Sequence, residues 1–171
     1  MATWDEVRRI ALALPETVER SGRDGVLEWR VRDKGFAWER PLRRGDRSAL
    51  GDAAPTGPIL AAHVPDLGVK EALLSDDAEV FFTTPHFDGY AAILIRLDRI
   101  AAPELEEVLV EAWLNRAPKR LAKAYVDDRL IGRSGDDVRG GDDDDGHGGG
   151  PDRGRVRVVP HDARDRSGAG G

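Results

Sequence analysis

Val80-Phe81-Phe82-Thr83-Thr84-Pro85-His86-Phe87-Asp88-Gly89-Tyr90-Ala91-Ala92-Ile93-Leu94-Ile95-Arg96-Leu97 joins two apolar, β-prone runs through a segment that holds Asp-Gly. Val80 to Phe82 and Ile93 to Ile95 favour an extended, half-buried backbone, and Asp88-Gly89 tolerates the positive φ of a reversal. Pro85 has no N–H to give a ladder, so pairing loosens there. The stretch reads as the central hairpin of a small sheet, with Thr84, His86 and Asp88 at its rim.

Outward from this hairpin the chain supplies helices before and after. Thr3-Trp4-Asp5-Glu6 has the spacing of a capping box, and Val7, Ile10, Ala11 and Leu14 follow on one face, which predicts a helix over 4–14. The polar residues 17–25 read as a loop. Leu27, Trp29 and Val31 then alternate with Glu28, Arg30 and Arg32, the period of a strand with one buried face. Asp33-Lys34-Gly35 turns the chain into a return strand, Phe36 to Glu39. A basic loop from Arg40 leads to a third strand at Ile59-Leu60-Ala61-Ala62, and Asp66 caps a short helix through Leu74. After the hairpin, Pro103 opens a helix whose Leu105, Val108, Leu109, Ala112 and Trp113 form one apolar stripe. Ala117-Pro118 either interrupts that helix or starts another.

The order predicts an α+β domain, α-β(3)-α-β(2)-α, two layers with a largely antiparallel sheet, over residues 1–128. From 129 to 171 Gly, Asp and Arg dominate, with four consecutive aspartates at Asp142 to Asp145. Such a composition buries too little apolar surface to offset an ordering entropy of about 1–2 kcal/mol per residue, and it reads as a disordered tail.

Composition narrows the function. The 171 residues contain no cysteine, which excludes disulfides and thiolate metal sites and fits a reducing, cytoplasmic setting. No apolar run approaches the roughly 20 residues of a membrane span, and no signal peptide is visible. With 26 basic against 32 acidic residues the formal charge is −6, the excess falling mainly in the first 128 residues. That balance opposes strong, sequence-independent binding of nucleic acid, although a local basic patch is compatible with it.

Two basic groups stand out. Arg116, Lys119, Arg120 and Lys123 recur at helical steps and would share one face of a continuous helix; they read either as a phosphate-binding stripe or as a solvated face. Arg30, Arg32 and Lys34 on the first hairpin, with Arg40, Arg43 and Arg44 in the loop, could line a nucleic-acid groove or be neutralised by Glu28 and Glu39. The rim residues Thr84, His86 and Asp88 hold a histidine near a carboxylate, but two ligands do not make a metal site and no third converges in sequence. Neither H-E-x-x-H nor a phosphate-cradling glycine loop is present, so the expectation is no catalytic residue, no metal and no cofactor. Trp4, Trp29, Trp38 and Trp113 read as core, with Trp38 nearest the basic loop.

Phe36-Ala37-Trp38-Glu39-Arg40, the stretch Val80 to Tyr90, and Ala112-Trp113-Leu114-Asn115-Arg116-Ala117-Pro118-Lys119-Arg120-Leu121 together resemble the MmcQ/YjbR family over about residues 3–126. The resemblance implies a compact two-layer α+β fold related to type III secretion chaperones, and a DNA-binding label without a shared catalytic motif. The expectation that follows is a non-enzymatic binding protein, with DNA as one partner and a protein partner as the alternative.

Overall fold

The computed structural model describes residues 1–22 and 24–135. Its frame is a six-stranded antiparallel sheet in the order β1-β2-β3-β4-β6-β5, formed by β1 (Thr17–Ser21), β2 (Leu27–Val31), β3 (Lys34–Glu39), β4 (Ile59–His63), β5 (Phe81–Phe82) and β6 (Ala92–Arg96). Among the described residues five α-helices accompany it: α1 (Trp4–Ala13), α2 (Arg44–Leu50), α3 (Leu67–Asp76), α4 (Ala102–Arg116) and α5 (Lys119–Gly135). The α+β class and the antiparallel sheet are those the residue pattern predicts.

Both faces of the sheet are covered, and the strands show it. In β4 and β6 four consecutive residues are buried, so these are apolar runs without alternation. Leu60, Ala62, Ile93 and Ile95 join the main core beneath α1 and α4, with Trp29, Phe36, Leu105, Leu109 and Trp113. Ile59, Ala61, Ala92 and Leu94 join a smaller cluster on the opposite face with Leu42, Phe82 and Phe87. α1 begins at the expected capping box, where Thr3 Oγ1 accepts from Glu6 N–H and Glu6 accepts from Thr3 N–H. Asp66 caps α3 through Val69 N–H.

Three expectations change. The segment read as a loop opens as β1, an edge strand whose polar side chains need little burial because one neighbour supplies its ladder. The sheet therefore has a sixth strand. The basic loop after β3 contains α2, held by Asp46, a helix too short to show a periodic apolar stripe. The hairpin read as central supplies β6 to the interior, but β5 is two residues long and forms the edge, because Pro85 ends the pairing in a 3-10 turn over Pro85–Phe87. Of the two readings of Ala117-Pro118 the second holds: Ala117 adopts ψ 149 ahead of Pro118, so α4 stops and α5 begins anew. α5 runs to Gly135, past the Asp128 boundary; the remainder of the expected tail lies outside the described residues.

Candidate functional site

Two buried cations shape the loop that walls the candidate site. After the 3-10 turn, Gly89 at φ +70 turns the chain toward β6, a conformation that glycine adopts without a Cβ penalty. Lys70, buried on α3, donates its Nζ to the carbonyl of Phe87 at 2.6 Å and to that of Tyr90 at 3.1 Å. Burial pushes the Lys70 ammonium below its ordinary pKa, and Asp88 opposes that in part. Arg40 lies with its guanidinium 5.4 Å from the centre of the Phe87 ring and donates to Asp46 Oδ2 at 2.9 Å, both side chains being more than nine-tenths buried. Burial raises the pKa of Asp46, but the Arg43 backbone N–H and the Arg40 guanidinium outweigh it and hold the carboxyl below its usual range.

Replacing Lys70 by methionine tests this clamp. The stem still fits, but two backbone carbonyls lose their donor, and we expect a loss of about 1–3 kcal/mol in urea unfolding. Unchanged stability would show that the loop holds itself.

The loop so placed and the end of β3 with the segment after it line a cleft of about 800 Å³, whose walls include Trp38, Arg43, His86, Phe87 and Tyr90. Trp38 and Tyr90 also line an adjoining hollow of about 490 Å³ with His63, Arg30, Lys34 and Arg116. The aromatic rings are close: Trp38 and His63 centroids are 5.1 Å apart, His63 and Tyr90 5.7 Å, and Phe87 lies 6.4 Å from Trp38 and 6.2 Å from Tyr90. Phe87 is buried, whereas Tyr90 is 49% exposed and presents a ring to solvent. Burial, with the nearby Arg116 charge, lowers the His63 pKa; a backbone hydrogen bond at Ala91 and the Glu28 charge act the other way.

Several cations expected to meet a ligand are engaged elsewhere. Arg30 donates to both oxygens of Glu28 at 3.0 Å and to the Asp33 carbonyl; Arg32, at φ +51, pairs with Glu16; Arg40 is the buried partner of Asp46. The expected four-residue helical stripe does not form, because Arg116 closes α4 and donates its Nε to Gly35 O at 3.1 Å, while Lys119, Arg120 and Lys123 belong to α5. Lys123 pairs with Asp127 along that helix. Lys34, Arg43, Arg44, Lys119 and Arg120 are exposed. Among the described residues none of these five side chains forms an ion pair with an acid.

The rim separates as well. Thr84 is buried beside the Arg40–Asp46 pair, where its hydroxyl helps to lower the Asp46 pKa. His86 and Asp88 are exposed, His86 packing edge-on against Phe87 at 5.1 Å. They do not bond to each other, and among the described residues no three His, Cys, Asp or Glu side chains converge as metal ligands.

Neither His63 nor Lys70 stands out in the sequence as a site residue. The one signal was polarity out of place: His63 ends the wholly apolar β4, and Lys70 sits among apolar residues of α3.

Comparison with known proteins adds kinship. The family model described as YjbR matches residues 12–115. The chain is 52% identical over 129 residues to the Uncharacterized protein Rv2570 of Mycobacterium tuberculosis, covering 74% of this chain and 97% of that protein. The Uncharacterized protein Mb2600 of Mycobacterium bovis matches with the same identity and coverage. The crystal structure of Deinococcus radiodurans protein DR2400, with family-model domain DUF419, superposes with a TM-score of 0.50 at 20% identity. It covers 67% of this chain and 78% of that one, a likeness of fold.

Proposed function

The chain belongs to the YjbR family, and from that premise we propose that it is a non-enzymatic, cytoplasmic binding protein whose ligand is a single strand of DNA laid across the Trp38–Tyr90 cleft. The observation that carries this reading is that two adjoining hollows share the half-buried Trp38 and the exposed Tyr90, with Arg43 lining one and Lys34 and Arg116 the other. Bases stack on aromatic rings for about 1–3 kcal/mol each whatever their identity, and cations beside the rings hold the backbone. A duplex offers no base faces and is held chiefly through many phosphates. Here Arg30, Arg32, Arg40 and Lys123 are committed to acids, and the chain is net acidic. Among the described residues no helix is long and apolar enough to cross a membrane.

Fluorescence anisotropy of the full chain with a labelled thymidine oligonucleotide, against a duplex of the same length, tests the proposal. We expect the strand to bind about tenfold or more tightly than the duplex, and Tyr90→Ala to cost the strand about tenfold, within the range of one stacked base. Duplex binding as tight as that of the strand, indifferent to Tyr90→Ala, would overturn it.

A protein partner is the second reading, favoured by a different surface. Val126, Leu130 and Ile131 of α5 are exposed beside a hollow of about 520 Å³ lined by Val110, Leu114 and Tyr125. Binding there would persist as salt rises, whereas phosphate contacts decay.

A further inference from the structure

We infer that Arg116 and His63 form an oxyanion subsite at the hairpin end of the cleft, placed to take the phosphate of a nucleotide whose ring lies against Trp38 and Tyr90. This deepens the nucleic-acid reading above and rests on it for the nature of the ligand.

Arg116 is the cation best prepared for the task. It is partly buried at the end of α4, and its Nε is fixed by the neutral Gly35 carbonyl at 3.1 Å. Its two terminal nitrogens bond to nothing among the described residues, so a guanidinium partly withdrawn from water keeps its charge without a paired acid. Such a fork matches two oxygens of a phosphate, and a charge-assisted bond there is roughly twice as strong as a neutral one.

Glu28, a carboxylate that also lines this hollow, is occupied. Both of its oxygens are held by Arg30 at 3.0 Å. Gly35 makes that possible: a Cβ at this position would stand 2.0 Å from Glu28 Oε1, so a side chain would drive Glu28 out of its place over the turn. The hairpin thus presents Arg116 through the Gly35 carbonyl while keeping Glu28 neutralised beside it.

His63 supplies the second feature. Its ring stands between Trp38 and Tyr90, 5.1 and 5.7 Å from their centroids, in the hollow that Arg116 also lines. The charged groups acting on it are Arg116 from α4 and Glu28 from β2. Burial lowers the His63 pKa most, and the Arg116 charge lowers it further; an anion seated on Arg116 would cancel that second part, favouring a protonated imidazole that can act as a second donor. A ring with a phosphate one bond series away, either within a strand or as a free nucleotide, satisfies the stacking surface and the cation together.

The experiment is an NMR titration of the His63 ring in the full chain with thymidine, thymidine 5′-monophosphate and a thymidine oligonucleotide, repeated for Arg116→Gln and Arg116→Lys. Arg9→Gln, an exposed change on α1, controls for net charge. We expect the monophosphate to bind about tenfold or more tightly than thymidine, and the His63 pKa to rise toward its ordinary value on saturation. Arg116→Gln should lose that advantage and Arg116→Lys, which keeps the charge without the fork, should lose part of it. The thymidine comparison in the unmodified chain stands even if a variant misfolds. Binding of the strand alone assigns the phosphate to DNA; binding of the monophosphate alone keeps the subsite and removes the strand reading. Strand binding with an unmoved His63 pKa and no effect of Arg116→Gln would overturn the subsite while leaving DNA binding intact. No binding by either ligand would overturn both.

Discussion

Asp46→Ala is expected to lower the unfolding free energy by about 3–5 kcal/mol, because it leaves the Arg40 guanidinium charged and buried without its partner. The pair is deep: side-chain exposures are 8% for Arg40 and 6% for Asp46. Asp46 also accepts the Arg43 backbone N–H at 2.8 Å, so the same change uncaps α2. Urea unfolding followed by tryptophan fluorescence measures the effect. The double variant Arg40→Met with Asp46→Leu should recover much of the loss, since a well-packed apolar pair of similar volume carries no buried charge. A single variant as stable as the parent would show that water reaches Arg40.

The same carboxylate gives a pH dependence whose sign is determined. Its folded pKa lies below its ordinary value, although burial acts in the other direction. The unfolded chain therefore binds the proton more readily, and the stabilisation is present above the ordinary aspartate pKa of about 3.9 and lost as pH falls through the folded value. In Asp46→Ala the stability curve should be flatter below about pH 4 than in the parent.

Trp113→Ala is the second large effect, again about 3–5 kcal/mol. Trp113 is fully buried, its Nε1 donates to the Pro15 carbonyl at 3.1 Å, and its ring lies 5.0 Å from that of Tyr125. One side chain therefore ties the end of α1 to α4 and α4 to α5. Truncation empties the centre of the core and removes the surface on which α5 rests, so loss of helical signal should precede loss of the sheet in thermal melting. Trp113→Phe keeps most of the volume and orphans only the carbonyl, and it should cost about 1–3 kcal/mol. Equal losses for the two variants would mean that the hydrogen bond, and not the packing, dominates.

These two sites frame the cleft from opposite sides of the sheet. Arg40 and Asp46 support Phe87 from the face with the smaller core, and α4, anchored by Trp113, carries Arg116 to the hairpin. A stability loss at either would also weaken binding, which is why the binding experiments rely on Tyr90 and Arg116, whose removal leaves those anchors in place.

Local chemistry by itself determined much of this protein. The capping box at Thr3, the proline at the head of α4, the alternation from Leu27 to Val31 and the unbroken apolar runs of β4 and β6 act over a few residues, and each gives the element its chemistry requires. Elements whose stability is borrowed from distant partners were not legible. β1 is polar and pairs only because β2 offers a ladder, and α2 is held by a carboxylate answering an arginine from the end of β3. The candidate site belongs wholly to this second kind. Trp38, His63, Tyr90 and Arg116 are far apart in the chain, and only the antiparallel stacking of β3, β4 and β6, with α4 across them, brings them to one cleft. Whether a cation is free to meet a ligand was likewise decided in three dimensions. A guanidinium in sequence carries the same charge everywhere, but Arg40 meets Asp46 in the interior while Arg116 meets a neutral carbonyl, and that difference in partner sets what each can bind.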